Sequence, residues 1–242
     1  MWLNANYEDR EEFEQEVRNV CKTYEQAQEL SEEGINTVST DEKTGIQALE
    51  RAAQDKPMKP GKVRRMEYEY IRHGTQALIA SFDVATGEVI KGSVVNERSE
   101  KEFTAHIVEV ISTDPKAGWV FVSDQLNTHK SESLVRLVAS ECQIKEELGS
   151  KGKTGVLKNK KTRAEFLTDE SHRIRFVYTP KHASWLNQIE IWFGILVRRL
   201  LKRGSFKSVE ELRDRILAFI AYFNATMAKP FKWTYKGRPL VA

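Results

Sequence analysis

The chain has 242 residues, 40% hydrophobic and 30% charged, with a net charge of only +3 and two cysteines. That length can bury a sizeable core, and the composition is ordinary for a soluble globular protein. The longest apolar run, residues 216–223, is too short to span a bilayer, and Cys21 and Cys142 lack the spacing of a disulfide framework or a zinc site.

The net charge hides an asymmetry. Residues 1–33 hold ten Asp/Glu against three Lys/Arg, a local net of −7, which leaves +10 on the other 209 residues. A basic body behind an acidic N-terminal segment suits a polyanionic partner, although a solvated charged surface has the same composition. The opening Met1-Trp2-Leu3-Asn4 soon turns acidic, so no secretory leader is expected, and the cysteines are expected to be reduced intracellular thiols.

Residues 8–30 read as a helix, because Phe13, Val17, Val20, Tyr24 and Leu30 recur at helical spacing and Gly34 stops them. A short β-rich run follows at 35–41. Residues 66–72 and 76–84 read as strands separated by His73-Gly74, and 88–96 as a third, giving an antiparallel meander. Residues 99–111 predict a helix with Phe103, Ile107 and Ile111 on one face. The apolar run 118–124 predicts a buried strand, and 131–139 a helix with Leu134, Leu137 and Val138 inward. The polar, lysine-rich stretch 145–165 is expected to be a basic insertion or mobile surface loop. A strand at 173–178 closes on Thr179-Pro180, and helices at 184–203 and 208–225 complete the chain.

This order predicts an α/β architecture, a mixed β-sheet flanked by helices, and it resembles the order of the ribonuclease-H-like fold. Residues 1–34 read as an acidic N-terminal helix or linker, and residues 35–242 as the main domain.

Three acids sit where such a sheet would gather them. Asp41 ends the first strand and Asp124 ends the strand at 118–124. If those strands are parallel neighbours, both carboxylates reach one edge of the sheet, where α/β folds place their ligands. Carboxylates a few ångströms apart repel, and a divalent cation resolves the repulsion. Glu190 stands beside the apolar stripe Trp185, Ile189, Trp192 and Leu196 of the next-to-last helix, so it is a partly buried acid in need of a partner. Taken singly, each of these acids is more often a turn, cap or surface residue; together they fall on the expected elements in the expected order. Glu42, next to Asp41, points to the opposite strand face and reads as a supporting residue. Gly152-Lys153-Thr154 resembles the end of a phosphate-binding loop, but Glu147 stands where that loop needs its first glycine. The histidines at 73, 106, 129, 172 and 182 show no zinc spacing. His129 and His182 are candidates for phosphate or water contact, or for structural hydrogen bonds.

Three segments carry a family resemblance: Ser39-Thr-Asp41-Glu-Lys-Thr-Gly-Ile, Val122-Ser-Asp124-Gln-Leu-Asn-Thr-His-Lys-Ser131, and Tyr178-Thr-Pro-Lys-His-Ala-Ser-Trp-Leu-Asn-Gln-Ile-Glu190-Ile-Trp-Phe193. They resemble the acid-bearing motifs of DDE transposases, most closely the bacterial insertion-sequence branch of the mariner superfamily. The resemblance covers the chain from about residue 35 onward and is most specific in its third segment. It implies a ribonuclease-H-like catalytic domain with Asp41, Asp124 and Glu190 as catalytic, metal-holding residues. It also implies two Mg²⁺ ions, Mn²⁺ substituting, and cut-and-paste transfer of DNA into TA targets. The partners implied are transposon ends and target DNA in a dimer or larger synaptic complex, in the bacterial cytoplasm. Lys130, Lys181, His182, Arg198, Arg199, Lys202 and Arg203 are candidate DNA contacts, with a solvated helix face as the plainer reading of the basic run.

Two features depart from the family pattern. The family usually carries helix-turn-helix domains ahead of its catalytic domain, where this sequence has an acidic helix. The interval from Asp124 to Glu190 is long, which the 145–165 insertion would explain. A DNA-binding or assembly protein that no longer mobilises DNA, and a ribonuclease-H-like nuclease acting on RNA or junctions, are the alternative readings.

Overall fold

The computed structural model describes residues 10–65 and 67–235. Helices α1 (Arg10–Glu25) and α2 (Ala27–Glu32) lead into strand β1 (Ile35–Arg51). Strands β2 (Tyr70–Asp83) and β3 (Val89–Val95) follow, then α3 (Glu100–Ile111), β4 (Gly118–Ser123), α4 (Glu132–Glu141), α5 (Lys160–Leu167), β5 (Ile174–Tyr178), α6 (Ile189–Arg199) and α7 (Val209–Thr226). The five strands form one mixed sheet in the order β3-β2-β1-β4-β5. β1 runs antiparallel to β2 and parallel to β4, and β4 runs parallel to β5.

Both faces of the sheet are covered by helices, as burying a parallel centre requires. On one face Val38, Phe121 and Phe176 pack against Phe103 and Ile107 of α3 and Leu134 and Val138 of α4. On the other, Leu78, Ala80 and Phe82 pack against Trp192 and Leu196 of α6 and Ile216 and Ile220 of α7. Helix α1 lays Phe13, Val17, Val20 and Tyr24, spaced by three and four, over Val122, Ala183 and Leu186. The helix starts follow from local chemistry: Ser99, Ser131 and Ser208 each accept the amide three residues on, satisfying a free donor. No described helix is long and apolar enough to cross a membrane.

Five sequence readings change. The helix read over 8–30 is two helices, α1 and α2, parted at Gln26, and residues 8 and 9 lie outside the described residues. β1 continues to Arg51 instead of ending at residue 41, because Gly45, at φ 70°, lets the strand shift register against β2 and carry on. The two strands read around His73-Gly74 are one, β2, with Gly74 at φ 132° absorbed as a second irregularity. Its start is Tyr70, and residue 66 lies outside the described residues. The stretch 145–165 contains the first turns of α5, started by an Asn159–Thr162 capping box, and buries Leu157 completely. The single helix read over 184–203 is broken into a 3₁₀ turn (Ser184–Leu186), an extended Asn187, α6, and a second 3₁₀ turn (Leu201–Arg203).

Candidate active site

The parallel pairing of β1 and β4 fixes the placement of two acids. Ser39 pairs with Val122 at the end of that ladder. Asp41 and Asp124 each stand two residues past this pair, on neighbouring strands running the same way. β4 ends there, while β1 continues against β2, where Asp41 pairs with Ala80. Asp41 is therefore interior to its strand, yet it still emerges at the edge where β4 stops.

Asp41 is buried, and its Oδ2 accepts from Asn187 Nδ2 at 3.1 Å and its Oδ1 from the Glu42 amide at 2.7 Å. Burial, and then the charge of Asp124 beside it, push the Asp41 carboxyl up to about 7. Asp124 Oδ1 accepts from the Leu126 amide at 3.0 Å and faces His129 Nδ1 at 2.7 Å. Burial alone would raise Asp124, but its bond to His129 and that ring's charge hold it below the usual carboxylate range.

His129 is wholly buried and stacks on Phe103, ring centroids 4.1 Å apart. Its Nε2 lies 3.7 Å from Glu42 Oε1. Burial opposes a charged imidazole, yet the two carboxylates flanking it carry its pKa up to about 9. The Glu42 side chain is 1% exposed and also faces Arg98 at 3.5 Å. Strand alternation sends Glu42 to the face opposite Asp41, where it meets His129 and Arg98.

One ligand atom each from Asp41, Asp124 and His129 lies within 4.8 Å of the others. The two crowded carboxylates are donors that a hard divalent cation can use, and a cation there would remove the repulsion that raises Asp41, while His129, held protonated between its two acids, has no lone pair to add. Glu190 sits in the first turn of α6 and opens to solvent. It lies outside this close set, but it feels the same charges: crowding on its inner side raises its carboxyl, Lys43 opposes the rise and Asp124 adds to it. Lys43, with its ammonium 5.9 Å from the Phe193 ring centre, is the cation beside Glu190.

The break before α6 has a clear physical reason. Asn187 leaves the helical backbone, with φ −80° and ψ 111°, and reaches across to β1. Its Nδ2 donates to Asp41 and to the Thr40 carbonyl at 3.2 Å, and its Oδ1 accepts from Ser39 Oγ. Ser39 Oγ in turn accepts from the Ile189 amide at 2.9 Å. The helix bearing Glu190 is thus bolted to the strand bearing Asp41.

The candidate DNA contacts fall into two groups. Lys130 is half-buried over the Tyr178 ring, 4.3 Å from its centre, and its charge bears on that of Lys181. Lys181 and His182 are exposed, and His182 adopts a left-handed φ of 60° in the turn after β5. Arg198, Arg199, Lys202 and Arg203 are exposed at the far end of α6, where Arg198 lies ~12 Å along the axis from Glu190. They do not line the acid cluster. Sequence reasoning did not single out Asn187, Lys43 or Arg98 as site residues, and it left the role of His129 open. The signals available were the motif neighbour three residues before Glu190 and the histidine five residues after Asp124.

No curated protein sequence matches the chain. Among solved structures it is similar to the Mos1 mariner paired end complex with Mn (TM-score 0.51, 14% identity, covering 92% of this chain and 59% of that one). It is also similar to the Mos1 transposase paired-end complex with left transposon end (TM-score 0.52, 13% identity, covering 96% of this chain and 60% of that one). The chain thus spans about three fifths of the Mos1 chains it resembles. At such identity the likeness establishes the fold, a ribonuclease-H-like mixed sheet flanked by helices. Residues 36–213, more than half of the sequence, match the family described as DDE superfamily endonuclease, and the chain belongs to that family.

Proposed function

We propose that this chain is the catalytic part of a transposase from the bacterial insertion-sequence branch of the mariner superfamily, cleaving DNA and joining its 3′ ends to a target. The observation that carries the reading is the confinement of Asp41 and Asp124 at the shared edge of two parallel strands, which raises Asp41 to about 7. Asp41 and Asp124 would hold the divalent ions, Mg²⁺ or Mn²⁺, and Glu190 would complete the site from α6. The chemistry such ions supply is activation of a water or a DNA 3′-hydroxyl and stabilisation of the leaving oxygen in an in-line displacement.

The chain's own groups do the rest. Asn187 fixes the Asp41 carboxylate, and His129 fixes that of Asp124, so neither has to reorganise as DNA enters. Glu190 and Lys43 stand where a phosphodiester would approach. Lys130 and Lys181 supply positive charge on the β5 side for the backbone of a transposon end or a TA-containing target. The Mos1 structures that the chain resembles, both paired-end complexes and one with Mn, support DNA and divalent metal as partners here.

The test is cleavage of supercoiled DNA carrying matched transposon ends, in Mn²⁺ and at high protein concentration, against an EDTA control. Metal-dependent nicking that Asp124→Asn abolishes supports the reading. Tight DNA binding without cleavage in Mg²⁺ or Mn²⁺ would replace it with that of an assembly protein derived from a transposase.

A further inference from the structure

Helix α6 has no side-chain cap of its own: Gln188, at its start, makes no capping bond. The first amides of a helix have no partner within it, and a buried one left unpaired is costly. Here two of them are satisfied from far away in the sequence. The Ile189 amide donates to Ser39 Oγ on β1. The Gln188 amide donates to the hydroxyl of Tyr24 on α1, at 3.3 Å, and the same hydroxyl donates to the Leu186 carbonyl at 3.0 Å. Tyr24 thus clamps the backbone on both sides of Asn187, the residue that reaches Asp41.

The clamp is rigidly mounted. Tyr24 is 5% exposed, and its ring meets Trp233 edge-on with centroids 4.9 Å apart. The buried stripe of α1 holds it against Ala183 and Leu186, in the turn that leads into α6. Burial pushes its phenol above the range in which it could ionise under ordinary conditions, so it remains both donor and acceptor. None of α1 lies within residues 36–213, the span matching the family.

We infer that Tyr24 is a positioning residue for Glu190, and that α1 is therefore a working part of the catalytic unit and not a linker ahead of it. The inference rests on the proposed role of Glu190, although the clamp itself does not. A displacement of about 1 Å at a reacting group can cost on the order of 10²-fold in rate. Residues supporting a metal site typically change metal affinity by about 10–100-fold.

The experiment uses the full chain and Tyr24→Phe, which removes the hydroxyl and keeps the ring. Two readouts are taken. Amide hydrogen exchange at residues 188–190 is expected to speed up at least about tenfold, with α7 amides unchanged, because opening free energies are local. In parallel, the turnover rate for Mn²⁺-dependent DNA cleavage is expected to fall roughly 10–100-fold, with KM for DNA held, and calorimetric Mn²⁺ affinity to weaken. Val138→Ala, in the core on the opposite face of the sheet and away from α1 and α6, is the control; it is expected to lower Tm while sparing exchange at 188–190. Unchanged exchange at 188–190 in Tyr24→Phe overturns the clamp. Faster exchange with parental turnover and Mn²⁺ affinity overturns the positioning role. If the parent neither cleaves DNA nor binds Mn²⁺, the proposed function fails and the role for Glu190 fails with it, while the exchange data still decide the clamp.

Discussion

His129 Nδ1 lies 2.7 Å from Asp124 Oδ1, and the opposite side of the same ring faces the buried Glu42 carboxylate. One imidazole thus serves two acids, one at the site and one in the core. Breaking a buried ion pair by removing one partner costs about 3–5 kcal/mol, because a buried charge is left behind. His129→Leu is expected to destabilise the fold by an amount near that range, with Glu42 stranded beside Arg98 alone. Adding Glu42→Gln should recover part of the loss. Urea unfolding of both single variants and the double variant checks this, and strictly additive effects would refute the coupling.

Asp124→Asn keeps the size of the side chain but removes the charge facing the proposed ions. Metal-dependent strand cleavage should fall by several orders of magnitude. DNA binding should persist with its salt dependence, since Lys and Arg contacts to phosphate carry it. Gel-based cleavage and fluorescence anisotropy on the same preparations separate the two. A variant that still cleaves at near the parental rate removes Asp124 from the mechanism.

Two buried groups give opposite pH responses. His106 is wholly buried between Ser81 and Ser93, each hydroxyl 2.8 Å from a ring nitrogen, and burial, with the Lys91 charge adding, depresses it to about 3. The unfolded chain protonates this ring near 6.5, so stability is full above that pH and is lost as pH falls towards 3. The loss is on the order of 2–4 kcal/mol by pH 4. Asp41 is raised to about 7, so the folded state holds a proton that the unfolded state has released. Its contribution is present below about pH 4 and is lost as pH rises to 7. Thermal unfolding against pH should show a less acid-sensitive fold in His106→Gln and a flatter neutral limb in Asp41→Asn.

If the Asp41 repulsion marks a cation site, metal and pH act together. Mn²⁺ should raise Tm much more at pH 8, where Asp41 is ionised and repelled, than at pH 5, where a proton already occupies it. Scanning calorimetry with and without the ion measures this. Equal shifts at both pH values count against metal binding at Asp41.

The two basic groups are distinguishable by salt. Replacing Arg198, Arg199, Lys202 and Arg203 with Ala should make the slope of log affinity against log salt shallower by about 3–4 if all four touch phosphate. Lys181→Ala should change it by about 1. An unchanged slope in the fourfold variant leaves the end of α6 as a solvated face.

Asp41 and Asp124 were readable as neighbours from chain order, because each follows a run with strand character, whereas Glu190 stands outside the close group that they form. The parallel pairing expected between the β-rich run at 35–41 and the apolar run at 118–124 is the one observed between β1 and β4. What was hidden had a physical cause in each case. Gly45 reads as a strand breaker until its register shift is seen to let β1 continue. Asn187 sits in a helical pattern, and only its reach to Asp41 and Ser39 explains the break there. α5 begins in a lysine-rich stretch whose one deep anchor, Leu157, has only Val156 as an apolar neighbour in sequence. His129 showed nothing in its spacing to distinguish a buried bridge between two acids from a surface ring.

β1 outruns β4 beyond Ser39, so its backbone has an open side just where Asp41 emerges. A bare strand edge invites pairing with another chain. Here the Asn187 side chain donates to the Thr40 carbonyl, the Phe206 amide donates to the Leu49 carbonyl at 2.8 Å, and Ser205 Oγ accepts the Arg51 amide at 3.1 Å. These contacts come from just before and just after α6, so the helix lies along the exposed edge as a splint tied at both ends. The free edge of β1 is therefore occupied by the chain's own groups and offers no template for cross-β aggregation.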